Sequence, residues 1–127
     1  MDKKDNTPLI LLVEDNEVHI RLMCDLLLKH GMNVISCTNP GEVISLIHEN
    51  KPDLILMDIS LKEMSGLELT QKIKKTPSIA NIPVIALTAH ATKQDKENAM
   101  SVGFSDYIVK PINTRLFPQK IASFLQD

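Results

Sequence analysis

The stretch DLILMD, at residues 53–58, is the most informative segment for the fold class of this chain. Four consecutive apolar residues lie between two aspartates, without the polar alternation of a strand that has one face in water. Continuous apolar runs of this kind are typical of strands that helices cover on both faces, as in parallel sheets. We therefore predict a buried strand over 53–58 that ends in the carboxylate of Asp58.

Similar short apolar runs recur on both sides of this stretch and alternate with helical patterns of apolar residues. The runs predict four further strands, at 9–13, 34–37, 83–88 and 107–109. The segments between and after them predict five helices, at 17–30, 40–51, 66–75, 93–102 and 114–125. Five strand-then-helix units indicate an α/β fold: a doubly wound, five-stranded parallel sheet with right-handed connections and helices on both faces.

The composition narrows the class of protein. The chain has 127 residues, 43% of them hydrophobic and 24% charged, which is typical of a globular domain. We expect one domain over 1–127, with an ordered core over about 9–125. The net charge of −2 and the aromatic content of 3% argue against nucleic-acid binding, which uses a basic field and aromatic stacking.

The location of the protein is also constrained by its segments. No apolar run is long enough to span a membrane, and the charged N-terminus is not followed by the apolar region of a secretion signal. The two cysteines, Cys24 and Cys37, lack metal-ligand spacing and sit in apolar segments, as reduced core residues do. These features predict a cytoplasmic protein without membrane insertion.

Five polar side chains stand where the predicted strands end. The first strand is followed by Glu14 and Asp15, the third ends in Asp58, the fourth ends in Thr88, and the fifth is followed by Lys110. In an open parallel sheet, ligands bind beyond the carboxyl ends of the strands. The five side chains are therefore expected to share one site.

Each of these residues has an ordinary structural explanation when it is considered alone. Acids such as Glu14 and Asp15 are favoured at helix N-termini, Asp58 suits an exposed turn, and most lysines are solvated. Three carboxylates with only one lysine repel one another, however, and such a cluster is tolerable mainly where a divalent cation binds. Magnesium prefers oxygen ligands and is usually paired with a phosphoryl group.

This combination of side chains favours phosphoryl transfer to a carboxylate. A carboxylate at a strand end, beside Mg²⁺, can attack phosphorus as a nucleophile. The metal, a lysine and a hydroxyl neutralise charge on the phosphoryl oxygens. The expected product is an aspartyl phosphate.

Several ordered segments carry a resemblance to a known family: LLVEDN at 11–16, DLILMDISLKEMSGLEL at 53–69, IPVIALTAHA at 82–91 and GFSDYIVKPI at 103–112. On these segments the chain resembles the receiver domain of two-component response regulators, in the CheY-like superfamily. It looks most similar to stand-alone DivK-like receivers or to receivers of hybrid kinases. The resemblance covers about 9–125 and implies a flavodoxin-like (β/α)5 fold with strand order 2-1-3-4-5.

The resemblance also implies roles for the acidic residues. Asp58 would be the phosphoacceptor. Glu14, Asp15, Asp58 and the backbone carbonyl of Ser60 would hold Mg²⁺, and Mn²⁺ is expected to substitute for it. The acidic pair would contribute one of its ligands through water.

Further roles follow for residues on the last two strands. Thr88 and Lys110 would contact the phosphoryl group, and the Lys110–Pro111 bond would be cis. Tyr107 would be the aromatic switch residue, whose ring turns inward when Thr88 moves. Lys62 stands where the family usually has proline, so the loop that follows Asp58 departs from the common pattern.

As a response regulator, the protein would receive its phosphoryl group from a sensor histidine kinase or a histidine phosphotransfer protein. The modification would switch a binding face for a downstream protein. Such a receiver catalyses its own phosphotransfer and slow autodephosphorylation, but it is not a conventional turnover enzyme. The helix predicted at 93–102 has few apolar anchors and is expected to be the least stable element and the one that responds.

Three other classes of protein are weighed against this hypothesis. Haloacid-dehalogenase phosphatases also form an aspartyl phosphate, but they need a second acid two residues later, where this chain has Ser60. A flavodoxin-like cofactor binder would need a phosphate-binding loop after the first strand and aromatic residues to stack on flavin. The remaining alternative is a phosphorylation-independent protein interaction module, against which the complete set of phosphorylation residues counts.

Other titratable residues carry no predicted role. The four histidines, His19, His30, His48 and His90, have no partner set by spacing. His90 lies two residues after Thr88 and could border the phosphoryl group, but it is more simply explained as a solvated loop histidine. Lysines 72, 74 and 75 are most simply explained as a solvated helix end, favoured by the helix dipole.

Overall fold

The computed structural model describes residues 7–60, 65–89 and 92–125. Its sheet contains five parallel strands: β1 Leu9–Val13, β2 Asn33–Cys37, β3 Leu54–Asp58, β4 Val84–Thr88 and β5 Asp106–Val109. Their order is β2-β1-β3-β4-β5, so the predicted doubly wound topology is confirmed. The strand β3 lies at the centre of the sheet, and β2 and β5 form its edges.

Five α-helices connect or follow the strands. They are α1 Glu17–Lys29, α2 Val43–Asn50, α3 Gly66–Lys74, α4 Lys93–Val102 and α5 Leu116–Leu125. A short 3₁₀ turn, Pro40–Glu42, precedes α2. All the predicted elements are present, and their ends differ from the prediction by a few residues.

The ends of α1 follow local sequence signals. The Asn16 side chain accepts a hydrogen bond from the backbone N–H of His19 at 3.1 Å and so caps the first turn. At the other end, Gly31 has a φ of 84°, and the N–H of Met32 donates to the Leu27 carbonyl at 3.0 Å. This left-handed glycine turn ends the helix where the sequence predicted a cap.

Two helices begin later than the sequence predicted. Asn39 accepts a hydrogen bond from the N–H of Gly41, as expected of a cap, but it opens the 3₁₀ turn rather than α2. In α5, the Asn113 side chain accepts from the N–H groups of Arg115 and Leu116. Residue 114 therefore lies in the capping turn and not in the helix.

The hydrophobic core lies in two layers, one on each face of the sheet. Alternate residues of β1 and β3 point to opposite faces: Leu11 and Met57 into the layer beneath α2, α3 and α4, and Leu12 and Leu56 into the layer beneath α1 and α5. Every residue of β3 and β4 is buried. These two strands therefore form a rigid base for the residues at their carboxyl ends.

The packing leaves two apolar helix residues exposed and corrects one expectation about burial. Leu28 and Leu116 are 53% and 54% exposed, because each lies beyond the stripe of its helix that meets the sheet. Lys74 is not solvated: its ammonium donates to the carbonyls of Ala80 and Ile82, at 3.0 and 2.9 Å. Its pKa is lowered because burial disfavours the charged form.

Within the ranges that the structure describes, no helix has the length and apolarity needed to cross a membrane.

Candidate functional site

The carboxyl edge of the sheet brings together the polar residues that the sequence singled out. Because the strands are parallel and in register, Val13 pairs with Met57, Asp58 with Leu87, and Thr88 with Val109. The residues at or just beyond these ends therefore meet at one edge. Glu14, Asp15, Asp58, Thr88 and Lys110 all lie there.

The three acidic residues form a compact cluster. One carboxylate oxygen from each of Glu14, Asp15 and Asp58 lies within 4.8 Å of the others. Glu14 and Asp58 are almost completely buried, with 1% and 4% of their surface exposed, and Asp15 is half-buried. Buried carboxylates at this separation repel one another strongly unless a cation compensates them.

Lys110 is the ammonium that enters this cluster. Its Nζ lies 3.0 Å from Glu14 Oε1 and 3.3 Å from Asp58 Oδ2. The backbone holds the residue in place, since the N–H of Lys110 donates to the Thr88 carbonyl at 2.7 Å and the following Lys110–Pro111 bond is cis. One positive charge thus faces two buried negative charges, with Asp15 beside them.

The surroundings of Glu14 raise the pKa of its carboxyl group. Burial raises the pKa of Glu14, the hydrogen bond from Lys110 lowers it, and the nearby Asp58 charge raises it again, with a net increase. The site therefore favours a proton or another cation on this carboxylate. Glu14 also accepts a hydrogen bond from the N–H of Asn16 at 3.2 Å, which orients it at the start of α1.

Asp58 is positioned by its own chain neighbours. Its Oδ1 accepts the N–H of Ser60 at 2.9 Å, and its Oδ2 faces Lys110. Gly66, the first residue of α3, lies directly against its backbone: a Cβ atom at Gly66 would collide with the Asp58 carbonyl oxygen. Only glycine permits α3 to begin this close to the end of β3.

Gly66 and His19 are the residues near the site whose roles the sequence reasoning missed. His19 Nδ1 lies 3.7 Å from Glu14 Oε2 and 3.5 Å from Lys110 Nζ, so the expectation that His19 has no partners is wrong. Its place in the first turn of α1, four residues after Asp15, is a signal that could have indicated it. His90 lies outside the described residues.

Thr88 and Tyr107 lie on the two strands beside the acidic cluster. Thr88 is the last residue of β4 and is 7% exposed. Tyr107 of β5 pairs with Ala86 of β4, is half-buried, and packs against the core layer beneath α4. The Nζ atom of Lys96 on α4 lies 5.0 Å from the centre of its ring. Lys62, where the chain departs from the family pattern, is not among the described residues.

The acidic cluster is chemically suited to a magnesium ion. Three carboxylates supply the hard oxygen ligands that Mg²⁺ takes, and the charge excess left by Lys110 would be compensated by a divalent cation. Glu14, Asp15 and Asp58 could act as ligands directly or through water. Ser60 follows Asp58 by two residues and its backbone adjoins the cluster.

Comparison with known proteins identifies this arrangement. The sequence profile of the response regulator receiver domain matches residues 10–122. The chain belongs to this family. As a receiver domain it acts in two-component signalling, and receiver domains take phosphoryl groups from histidine kinases and act on downstream partners.

The polar-differentiation response regulator DivK of Brucella anthropi is similar to this receiver domain. The two are 44% identical over 118 residues, which covers 93% of this chain and 96% of the relative. DivK of Brucella ovis is 43% identical over 121 residues, covering 95% and 98%. The similarity to DivK that the sequence segments indicated is thereby confirmed.

Solved structures agree with the fold and with the acidic site. A response regulator from Thermotoga maritima superposes with a TM-score of 0.85 at 26% identity, covering 95% of this chain and 99% of that one. The receiver domain of a sensor histidine kinase from Pseudomonas aeruginosa superposes with a TM-score of 0.84 at 29% identity, covering 94% and 98%. That structure has a magnesium ion coordinated in its active site cleft.

Proposed function

We propose that this receiver domain accepts a phosphoryl group on Asp58 in a magnesium-dependent reaction and thereby switches a protein-binding face. The observation that supports it most strongly is the cluster of Glu14, Asp15 and Asp58, with Lys110 Nζ 3.3 Å from Asp58 Oδ2. Asp58 lies at the end of the central strand, with one oxygen held by Ser60 and the other beside the ammonium.

The transfer step forms one bond and breaks one. A carboxylate oxygen of Asp58 attacks the phosphorus of a phosphohistidine, an O–P bond forms, and the N–P bond of the donor breaks with its electron pair returning to the imidazole nitrogen. Lys110 is placed to hold an oxygen of the transferred group, and the Thr88 hydroxyl is expected to hydrogen-bond another. Slow attack by water would later release phosphate and restore Asp58.

Glu14, Asp15, Asp58 and the backbone carbonyl of Ser60 would hold the metal. When bound, Mg²⁺ would supply positive charge to the carboxylates and to the phosphoryl oxygens. Mn²⁺ has the same charge and preference for oxygen, and we propose that it substitutes.

The proposed switch connects Thr88 to Tyr107. Thr88 is buried at the end of β4, and Tyr107 lies on the neighbouring strand β5 beneath the polar helix α4. Movement of Thr88 towards a phosphoryl oxygen would open space for the ring to turn inward. The surface formed by α4, β5 and α5 would then present a different shape to a downstream protein.

The phosphodonor is proposed to be a sensor histidine kinase or a histidine phosphotransfer protein. Beside the acidic cluster, α1 exposes two apolar side chains, Val18 at 75% and Leu22 at 40%. An exposed apolar patch rimmed by polar residues is typical of a protein docking site. We further propose that the protein forms a single domain over 1–127 and acts in the cytoplasm. It is not expected to bind nucleic acid or to insert into a membrane.

Incubation with acetyl phosphate and Mg²⁺ tests the phosphoacceptor. The mass of the intact wild-type protein should rise by one phosphoryl group, and Asp58→Asn should abolish the increase. Asp53→Asn is the matched control, because Asp53 is an exposed aspartate at the opposite end of β3 that accepts the N–H of Leu9. Continued labelling of Asp58→Asn, or loss of labelling in Asp53→Asn alone, would contradict the assignment.

Metal binding has a separate readout, which does not need phosphorylation. Paramagnetic Mn²⁺ should broaden the NMR signals of Asp15, Asp58 and Ser60 before those of residues at the other end of the sheet, and excess Mg²⁺ should restore them. Asp15→Asn should weaken this broadening. Equal broadening at both ends of the sheet would show that the cluster is not a metal site.

A further inference from the structure

Helix α4 buries fewer residues than the neighbouring helix α3. Its sequence, KQDKENAMSV, contains one buried residue, Ala99, together with the half-buried Val102. The neighbouring α3 buries Leu69, Thr70 and Ile73 in addition to Gly66. Apolar burial therefore contributes less to the attachment of α4 than to that of α3.

The C-terminal end of α4 is attached by close packing. The helix ends at Gly103, which has a φ of 111°, and the aliphatic part of Lys74 lies directly over this glycine. The ammonium of Lys74 is anchored to the Ala80 and Ile82 carbonyls. This end of α4 is thus fixed to α3 and to the turn before β4.

The N-terminal half of α4 has a different attachment. Thr92 caps the helix internally, since its hydroxyl accepts the N–H of Asp95 at 3.1 Å. Among the described residues, Lys96 contacts the sheet from this half of α4: its Nζ lies 5.0 Å from the centre of the Tyr107 ring on β5. An ammonium at this distance from an aromatic ring is attracted by the negative face of the ring.

We propose that Lys96 is a positioning residue that holds the Tyr107 ring beneath α4 in the unphosphorylated protein. The contact exists only while the ring occupies its present place, so it stabilises this state against any state in which the ring has moved. Lys96 thereby opposes the proposed switch and sets how readily the phosphorylated state forms. This inference rests on the proposed function for its second half only.

The first test concerns the free protein. In the wild type, NMR signals of the Lys96 ε-methylene protons should lie upfield of those of Lys93, because the Tyr107 ring shields them, and Tyr107→Leu should remove the difference. Lys96→Met should accelerate amide exchange in the first half of α4 by about two- to five-fold, the factor expected for a partly exposed cation–π contact. Lys96→Arg should restore the wild-type rate.

Lys93→Met is the matched control. Lys93 lies one turn earlier on the same helix, is exposed and contacts no aromatic ring among the described residues. The substitution therefore removes the same charge without removing a contact to a ring. If Lys96→Met and Lys93→Met change exchange equally, or if the ε-methylene signals of the two lysines coincide, the positioning role is wrong.

The second test adds beryllofluoride with Mg²⁺ as a phosphoryl mimic. Lys96→Met should bind it about two- to five-fold more tightly than the wild type and Lys93→Met, because the competing contact is gone. Unchanged affinity would overturn the opposition to switching. Failure of the proposed function has a different signature: the amide signals of Asp58 and Ser60 would not respond to beryllofluoride in any variant, while the ring shielding in the free protein would still decide whether Lys96 holds Tyr107.

Discussion

Strands β3 and β5 deliver candidate functional residues to the same edge of the sheet but differ in burial and pairing. All five residues of β3 are buried, strands pair with it on both sides, and it carries Asp58. β5 is an edge strand whose residues are half-buried or exposed, and it carries Tyr107 and leads to Lys110. The proposed acceptor Asp58 thus stands on a fully buried strand, whereas Tyr107, the ring proposed to turn, stands on a less buried edge strand.

This contrast predicts very different costs for truncation in the two strands. Leu56→Ala in β3 should destabilise the protein by about 2–5 kcal/mol, because it leaves a cavity in a closely packed core. Val109→Ala in β5 should cost less than about 1 kcal/mol, because Val109 is 37% exposed. Urea denaturation measures both values. Equal costs in the two strands would show that β3 and β5 are packed equally tightly.

The next largest effect is expected from a methyl group at Gly66, where α3 begins against the end of β3. Gly66→Ala would gain helix propensity, but its Cβ would collide with the Asp58 carbonyl, and the net loss should be about 1–3 kcal/mol with slower phosphorylation. Gly41→Ala is the control, since its Cβ would meet only the Asn39 side chain at 3.3 Å. Thermal unfolding and acetyl phosphate labelling report the two effects. Gly66→Ala with unchanged stability and labelling would show that β3 and α3 can separate.

Removal of the buried hydroxyl of Thr70 in α3 should make the protein more stable. Thr70 is completely buried in α3, and its Oγ1 has no hydrogen-bond partner in the described structure. Thr70→Val should stabilise the protein by about 1 kcal/mol by removing an unsatisfied polar atom at constant shape. Thr76→Val, which loses a hydrogen bond to the Lys72 carbonyl, should be neutral or destabilising. Destabilisation by Thr70→Val would mean that the hydroxyl has a bonding role.

The smallest expected effect is a pH dependence caused by Glu14. The pKa of Glu14 is raised above 4.5 in the folded protein, so the folded state holds this proton more tightly than the unfolded state. Without metal, this contribution to stability is fully present below pH 4.5 and is lost as the pH rises through the raised pKa. Glu14→Gln should therefore reduce the fall in the free energy of unfolding, measured by chemical denaturation, as the pH rises from 4.5 through the raised pKa of Glu14.

Glu17→Gln is the control for this effect, because Glu17 is an exposed residue at the start of α1 and has the same charge. If the wild type and Glu14→Gln have parallel pH profiles in the absence of divalent cations, the charge-cluster explanation fails. Addition of Mg²⁺ should reverse the sign for the wild type, since a bound cation favours the ionised carboxylate.

Local patterns were sufficient to predict the strands and to predict which polar residues lie at their carboxyl ends. The apolar run ending in Asp58 and the residues after the other strands were visible in the sequence, because a strand places its end residues at a definite edge whatever surrounds it. Helix boundaries were less predictable. Both α2 and α5 begin later than expected, since a polar cap can open a 3₁₀ or capping turn as readily as an α-helix.

The fold class and the gathering of the three carboxylates, the hydroxyl and the lysine at one sheet edge were predictable, since both depend on periodicity and on the order of strand ends. The contacts between elements became visible in the folded chain: His19 beside Glu14, Gly66 against the Asp58 backbone, Lys74 over Gly103 and Lys96 over Tyr107. These contacts join residues that are distant in sequence or sit on turns and helix surfaces, where the pattern of polar residues is the same for a solvated side chain and for an anchored one. The physical reason is that burial and distance arise from the packing of whole elements, which no local pattern encodes.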